Sequence, residues 1–173
     1  TYFVPLQIGA NGVAFPRLCA VSYWLYLAGG LVMAASFFVE GGAPNSGWTS
    51  YVPLAVIATA GQNFWLAGIL LIGLSSTFGA INMLVTIVQG RAPGVTWMTL
   101  PFFVWSQLVT ALLLLLAFPA LQAVAILQWM DRVAGTSFSM PSGLVVGGVP
   151  LQGVIGGGNP LLWQHLFWFL AHP

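Results

Sequence analysis

Charged side chains are almost absent from this 173-residue chain. Aspartate, glutamate, lysine and arginine together make up 3% of the residues, whereas hydrophobic residues make up 59%. An ordinary globular domain is about a quarter charged, so a water-soluble fold of this length could not cover its surface with so few charges. We therefore expect an integral membrane protein, in contact with membrane lipid.

Lysine is missing altogether, because the three cationic residues are Arg17, Arg91 and Arg132. A surface that binds nucleic acid needs clustered lysine and arginine, so we expect no nucleic acid partner. Cysteine is also scarce. Cys19 is the one cysteine of the chain, which excludes an internal disulfide and a thiolate pair for zinc. We interpret Cys19 as a small apolar packing residue.

Three hydrophobic runs are long enough to cross a bilayer, whose hydrocarbon core of ~30 Å takes about 20 helical residues. We predict membrane-spanning helices over about residues 18–39, 64–88 and 100–130, and a fourth, truncated helix over residues 160–173. Pro119 predicts a kink in the third helix. The predicted fold class is an all-α transmembrane helix bundle, with residues 1–173 as one transmembrane domain that is an internal piece of a longer protein.

The connection before the last helix is rich in glycine. Valine and leucine alternate with small residues over residues 142–150, which predicts a short β-hairpin or an extended loop at the membrane surface. The loop over residues 140–155 has no assigned role, and a contact with another subunit or an electron donor is one interpretation. We expect the glycines at 156–158 to form a flexible lead into the last helix.

Charge predicts the orientation of the helices. Arg17 precedes the first span and Arg91 follows the second, so both lie on one side of the membrane. Glu40 and the adjacent Asp131 and Arg132, whose charges cancel, lie on the other. By the positive-inside rule the side of Arg17 and Arg91 is cytoplasmic. The last helix therefore starts at the outer face.

Both histidines lie in the last helix. His165 and His172 are seven residues apart with Trp168 between them, so all three side chains share one helix face. Imidazole in a membrane helix is either a metal ligand or a packing residue bonded to a backbone carbonyl. Two helical turns separate the histidines by ~10.5 Å, too far to bind one metal ion together. A redox metal needs further ligands, so the residues alone predict no more than a metal-ligand candidate.

Small and polar residues mark the second span. They are Gly68, Gly73, Ser75, Ser76, Gly79 and Ala80. Such residues allow close helix packing, and serine hydroxyls can also line a polar path. Asn82 carries an amide inside the same span and needs hydrogen-bond partners there.

The segment Gln164–Pro173 closely resembles the sixth-helix signature of haem–copper oxidase subunit I. Further motifs of that family follow in the same order along the chain. They are Tyr2–Leu6, Ala14–Leu18, Ser75–Ser76 with Gly79–Asn82, Arg91–Gly94, Phe103–Ser106, Asp131–Arg132 and Gly156–Gly158. The resemblance implies a piece of a twelve-helix subunit, from the end of helix two to the start of helix six.

The resemblance implies a role for each residue of the last helix. His172 matches a ligand of copper B, Trp168 matches an aromatic residue beside that copper, and His165 matches a residue that binds no metal. The full-length subunit would also bind a high-spin haem and a low-spin haem, with most ligands outside residues 1–173. This piece alone is expected to be inactive.

The resemblance implies a respiratory terminal oxidase. Electrons from cytochrome c or quinol reduce O2 to water, coupled to proton translocation, and subunits II and III are the expected protein partners. The alternatives are a quinol oxidase or a nitric oxide reductase of the same superfamily, and a secondary transporter, for which the chain lacks the expected internal symmetry. We expect a bacterial plasma membrane rather than a mitochondrial inner membrane.

The resemblance assigns residues of the D proton channel to Ser75, Ser76 and Asn82. The entrance departs from the family pattern. Many members carry an aspartate where this chain has Gly12, and an asparagine pair where it has Cys19 and Ala20. We therefore hypothesise that protons enter by another route or that pumping is altered.

Overall fold

The computed structural model describes residues 1–152 and 156–172. Almost all of the secondary structure in these ranges is helical. The helices are α1 (Phe3–Ile8), α2 (Pro16–Ala35), α3 (Leu54–Ile57), α4 (Gly61–Gln89), α5 (Phe102–Val133) and α6 (Leu161–Ala171), and the strands are β1 (Val145–Val146) and β2 (Val149–Pro150). The all-α class predicted from composition is confirmed, apart from this small hairpin.

Three helical segments of the described residues are long and apolar enough to cross a membrane: Pro16–Phe38, Gly61–Gln89 and Phe102–Val133. The first is α2 extended by a short 3-10 turn, and it ends one residue before the predicted limit, because Val39 is extended. The second segment extends beyond its predicted limits at both ends. The third begins two residues later than predicted and extends three residues further at its carboxyl end. Pro119 lies inside α5 without ending it, and the predicted kink stays a prediction.

Helix α6 begins one residue after its predicted start and ends two residues before its predicted end. Pro160 is its amino-terminal cap and His172 its carboxyl-terminal cap. Proline suits the start of a helix, where a missing N–H leaves no hydrogen bond unmade. Pro173, the last residue of the predicted helix, lies outside the described residues.

The glycine-rich connection contains an antiparallel hairpin that pairs Val145 with Pro150 and Val146 with Val149, so the hairpin interpretation is confirmed. Part of the predicted loop, residues 153–155, lies outside the described residues.

The glycines at 156–158 do not form the flexible segment that the sequence predicts, because two of them are hydrogen-bonded. The Gly158 N–H donates to the Met140 carbonyl at 2.9 Å, and the Gly156 N–H donates to Ser137 Oγ at 3.1 Å. A Cβ on Gly158 would collide with the Ser137 carbonyl oxygen, so close backbone packing explains the glycine at this position.

The chain divides into two compact units. The first comprises Thr1–Leu27 and Leu71–Phe118, and the second comprises Ala28–Leu70 and Pro119–Pro173. The core of the first unit consists of Val4, Ile8, Ile87, Leu100, Val104 and Leu108. In the second unit, Gly68 lies so close to the Gly29 carbonyl and the Met33 side chain that a Cβ would not fit. The small residue thus permits close helix packing, as predicted.

Candidate functional site

The candidate metal ligand His172 lies at the carboxyl end of α6. Its side chain is exposed, and its N–H closes the last helical turn by donating to the Trp168 carbonyl at 3.1 Å. Imidazole nitrogen is a good ligand for copper. The described residues contain no group of three histidine, cysteine or acidic side chains that could hold a metal. The exposed imidazole of His172 fits copper as a single ligand, and its assignment to copper B stays a prediction.

His165 is also exposed, two turns earlier on α6. Its distance along the helix, ~10.5 Å from His172, keeps it out of any site that His172 forms. Its assignment as a residue that binds no metal stays a prediction.

Trp168 is held in place from two directions. Its indole Nε1–H donates to the Tyr51 hydroxyl at 2.5 Å, and its ring meets the Trp48 ring edge-on, with centroids 5.8 Å apart. A buried or half-buried indole needs such a partner for its N–H. Trp168 stands out in the sequence, whereas its contacts with Tyr51 and Trp48, which follow the polar loop after the first span, are not predicted by it.

Trp163 anchors the amino-terminal end of α6 through burial and a hydrogen bond. The side chain is fully buried, its Nε1–H donates to the Thr49 carbonyl at 2.8 Å, and its ring stacks on Phe167 at 5.7 Å. The segment Trp48–Tyr51 therefore contacts α6 through a carbonyl, a hydroxyl and an aromatic ring. These contacts fix the turn of helix from which His172 projects.

Asp131 organises the segment that follows α5. Its carboxylate is buried and accepts four hydrogen bonds, from Thr136 Oγ1, from the Phe138 N–H, and from both the N–H and Oγ of Ser139. The distances lie between 2.6 and 2.9 Å. Donors of this number satisfy a buried carboxylate without a cation.

Arg132, the next residue, binds a different segment. Its guanidinium donates to Asn63 Oδ1 at 2.6 Å and to four carbonyl oxygens. These belong to Ala55, Val56, Ala58 and Thr59. Sequence analysis treated Asp131 and Arg132 as charges that cancel. In the described part of the chain no ion pair joins them, and each is satisfied by its own set of polar groups.

Ser75 forms a reciprocal contact between α4 and α2. Its hydroxyl donates to the Ser22 carbonyl at 2.6 Å, and the Ser22 hydroxyl donates to the Ser75 carbonyl at 2.8 Å. Each serine has one hydroxyl proton, so both protons are bound to backbone oxygens. Sequence reasoning missed Ser22, although a hydroxyl inside an apolar span requires a partner.

Asn82 binds the backbone at the start of α2. Its Nδ2 donates to the Phe15 carbonyl at 3.1 Å, and its Oδ1 accepts from the Phe15 N–H at 2.9 Å. One turn further along α4, Thr86 Oγ1 accepts from the Ala14 N–H at 2.9 Å. The partners that an amide inside a span needs are therefore backbone groups of a neighbouring segment.

Ser76 lines a cavity of about 260 Å³ within the first unit. Gln107 and Thr110 of α5 contribute further polar groups to its wall. The three residues predicted for one proton path are thus in two different surroundings, since Ser75 and Asn82 contact α2 and the segment before it.

The comparison with protein families covers the chain from end to end. The family model described as "Cytochrome C and Quinol oxidase polypeptide I" matches residues 1–173. The chain belongs to this oxidase subunit I family. Membership confirms the resemblance seen in Gln164–Pro173, and it places the three long helices in a helical membrane bundle of that family.

Similar proteins come from archaea and bacteria. The chain is 51% identical to "Heme-copper oxidase subunit I+III" of Aeropyrum pernix over 99% of its length. It is 43% identical to "Cytochrome c oxidase subunit 1" of Synechocystis sp. over 99% of its length, and 44% identical to the protein of that name from Bacillus sp. strain PS3 over 98%. The chain spans 20%, 29% and 26% of these relatives, respectively.

Proposed function

We propose that this chain is part of the catalytic subunit of a respiratory terminal oxidase that reduces O2 to water with electrons from cytochrome c or quinol. The family match over residues 1–173 carries the proposal, and the name of two relatives, cytochrome c oxidase subunit 1, supports cytochrome c as the donor. Haem and copper supply the redox chemistry in such an enzyme.

The role of this chain segment is to present one ligand and to hold it. His172 would donate one imidazole nitrogen to copper B, while Trp168 and Tyr51 fix the preceding turn of α6. The side chains of Trp163 and Phe167 are buried on the side of α6 away from His172, where they pack the helix against its neighbours and hold it in place.

The matched pair of histidines provides the test. His172→Asn and His165→Asn are made in the full-length subunit, which is purified with its partners. We expect His172→Asn to lose copper and O2 consumption, and His165→Asn to keep both at close to the unsubstituted level. Copper analysis, haem spectra and oxygen uptake with each electron donor measure this. Loss of copper in both variants would contradict the assignment, and an unsubstituted protein without haem would contradict the oxidase itself.

For proton uptake we propose that the path depends on Ser76 rather than on Ser75 and Asn82. The cavity beside Ser76 has room for several waters, each of which occupies about 30 Å³ in the liquid. The Ser75 hydroxyl proton and one of the two Asn82 amide protons are used in bonds to backbone oxygens. The residues at the usual entrance, Gly12 and Cys19, offer no carboxylate.

Proton pumping by the full-length enzyme in vesicles tests this path. Ser76→Leu removes the hydroxyl and narrows the cavity, and we expect it to lower proton uptake while leaving the helix contacts of Ser75 unchanged. The control, Asn82→Ala, is expected to reduce stability without changing the number of protons per electron. The proposal is wrong if Asn82→Ala abolishes pumping and Ser76→Leu has no effect.

Further partners and location follow from the family. The Aeropyrum pernix relative is named as a subunit I+III protein, which supports association with subunit III. Association with subunit II, and a bacterial plasma membrane as the location, complete the proposal. Copurification of the tagged full-length subunit from membranes tests the partners, and a preparation that lacks subunit III would contradict that association.

A further inference from the structure

Three polar side chains of the second unit form a buried hydrogen-bonded network. Gln62 and Ser50 are 0% exposed and Gln128 is 1% exposed. The Gln62 amide donates to Ser50 Oγ, and Ser50 Oγ lies 3.1 Å from Gln128 Oε1, to which it donates. The Gln128 amide donates to the Ser50 carbonyl at 2.9 Å. Buried amides in such a membrane protein are costly unless their partners are specific.

Ser50 is the centre of this network, and its backbone is in the left-handed region, with φ of 51°. Glycine is the usual residue in that conformation, because a Cβ crowds the backbone there. Serine occupies this position in place of glycine, and its hydroxyl both accepts from Gln62 and donates to Gln128. The network thus fixes a conformation that the backbone does not favour on its own.

The residues on either side of Ser50 are those that hold α6. The Thr49 carbonyl accepts from Trp163, and the Tyr51 hydroxyl accepts from Trp168. Trp48 packs against Phe167 and Trp168 with ring centroids 5.8 Å away from each. A change in the backbone at Ser50 would therefore move the partners of both tryptophan N–H groups.

We propose that Ser50, Gln62 and Gln128 are positioning residues for the metal-ligand end of α6. They hold the segment Trp48–Tyr51 in the conformation that presents Thr49 and Tyr51 to the tryptophans of α6. The consequence for copper rests on the proposed function of His172, whereas the consequence for Trp168 does not. Residues that orient a metal ligand typically change metal affinity or activity by about 10- to 100-fold when they are replaced.

The chain offers a matched control on the same helix. Gln122 also lies in α5, and its amide donates to the Leu70 carbonyl at 3.0 Å, outside the network of Ser50. Gln128→Met and Gln122→Met therefore remove one amide each and preserve side-chain volume. Ser50→Gly removes the hydroxyl, whereas glycine adopts the left-handed backbone without strain. This variant therefore tests the loss of the hydrogen bonds separately from any change in backbone strain.

The experiment uses the full-length oxidase with its partner subunits. Ultraviolet resonance Raman spectra report the hydrogen bond of the Trp168 indole N–H, assigned by comparison with Trp168→Phe. Infrared spectra of bound CO and metal analysis report the copper site. We expect Gln128→Met and Ser50→Gly to shift the Trp168 band, to broaden or split the CO band, and to lower copper content or turnover by about tenfold or more.

Gln122→Met is expected to leave the Trp168 band, the CO band and the copper content unchanged, even if it lowers the unfolding temperature. The proposal is overturned if Gln128→Met behaves like Gln122→Met in all three measurements. If Gln128→Met does not fold, an unshifted Trp168 band in folded Ser50→Gly overturns it equally. A failure of the oxidase assignment is recognised separately, because the unsubstituted protein would then lack haem or copper while the Trp168 band still reports the network.

Discussion

The two compact units satisfy their buried polar groups in different ways. In the first unit, the hydroxyl protons of Ser22 and Ser75 and the amide of Asn82 are bonded to backbone groups of an adjacent segment. In the second unit, side chains bind side chains as well as backbone, and contacts share atoms. Ser50 joins Gln62 to Gln128, and Tyr51 accepts from Trp168.

This difference suggests different consequences of substitution. Isolated contacts to backbone act independently, so their loss lowers stability by separate, small amounts. Shared contacts are coupled, so the loss of one member changes the geometry of the others. We expect substitutions in the first unit to change stability with little effect on a bound metal, and substitutions in the second unit to change both.

The largest effect should come from Arg132→Leu in the second unit. It removes the donor of Asn63 Oδ1 and of four carbonyl oxygens, all part-buried, of which the Thr59 oxygen keeps the Gln62 N–H. Each acceptor left unpaired away from water costs about 1–3 kcal/mol. We expect the free energy of unfolding to fall by about 3–5 kcal/mol, a range typical for a broken buried charge interaction. Thermal unfolding of the full-length protein in detergent measures it.

Arg91→Leu is the control for Arg132. Arg91 donates to one carbonyl at 3.4 Å and lies 3.8 Å from the centroid of the Trp97 ring. A cation–π contact of this kind contributes about 0.5–1 kcal/mol at an exposed site. Equal losses for the two arginines would show that the carbonyl cluster around Arg132 does not stabilise the fold.

A smaller loss is expected for Asp131→Asn. The amide nitrogen would face a donor in place of one acceptor oxygen, so at least one of the hydrogen bonds around the carboxylate is replaced by a repulsive contact. We expect a loss of about 2 kcal/mol, measured in the same unfolding experiment. Glu40→Gln, at an exposed position, should change stability by less than about 0.5 kcal/mol; a larger change there would undermine the comparison.

Asn82→Ala should cost about 1–2 kcal/mol, because it removes both bonds to the Phe15 backbone and leaves the Phe15 N–H without its acceptor, although the Phe15 carbonyl keeps the Cys19 N–H. Asn45→Ala, in an exposed loop, is the matched control. The haem spectrum and copper content of the full-length enzyme should be unchanged in both variants. A loss of copper in Asn82→Ala would contradict the view that contacts in the first unit act on stability alone.

The smallest effects are expected for Ser22→Ala and Ser75→Ala. Side-chain hydrogen bonds between membrane helices contribute about 0.6 kcal/mol on average. Each hydroxyl donates to the backbone carbonyl of the other residue and that carbonyl remains in the single variants. We therefore expect a coupling energy below about 0.5 kcal/mol, at the low end for residues in contact. A larger coupling energy would show that the 3.2 Å contact between the two hydroxyl oxygens matters more than the bonds to backbone.

Much of the fold could be predicted because the bilayer imposes a length on apolar helices. The predicted span over residues 64–88 lies inside α4, and the span over residues 100–130 overlaps α5 from Phe102 onward. The ends of the helices were less predictable, since α4 begins at Gly61 through its loop contacts and not through hydropathy. The short helix α3 was missed, because four residues carry no periodic signal.

The candidate ligand could be found from sequence, whereas its support could not. His172 and Trp168 stood out because polar and aromatic groups at helical spacing are rare in an apolar chain. Tyr51 is 117 positions from Trp168, and no local pattern links residues so far apart. The buried amides of Gln62 and Gln128 were a signal available in the sequence, since each had to have a partner.

The tie between Met140 and Gly158 has a consequence for how this subunit can vary in length. The two residues are joined by a backbone hydrogen bond of 2.9 Å, so they form the closed base of the loop between them. We expect insertions or deletions within this loop to leave the positions of Met140 and Gly158 unchanged. A single insertion after Gly158, by contrast, would turn His172 by ~100° about the helix axis and shift it by ~1.5 Å. We therefore expect changes of length within the hairpin to be tolerated better than changes between Gly158 and His172.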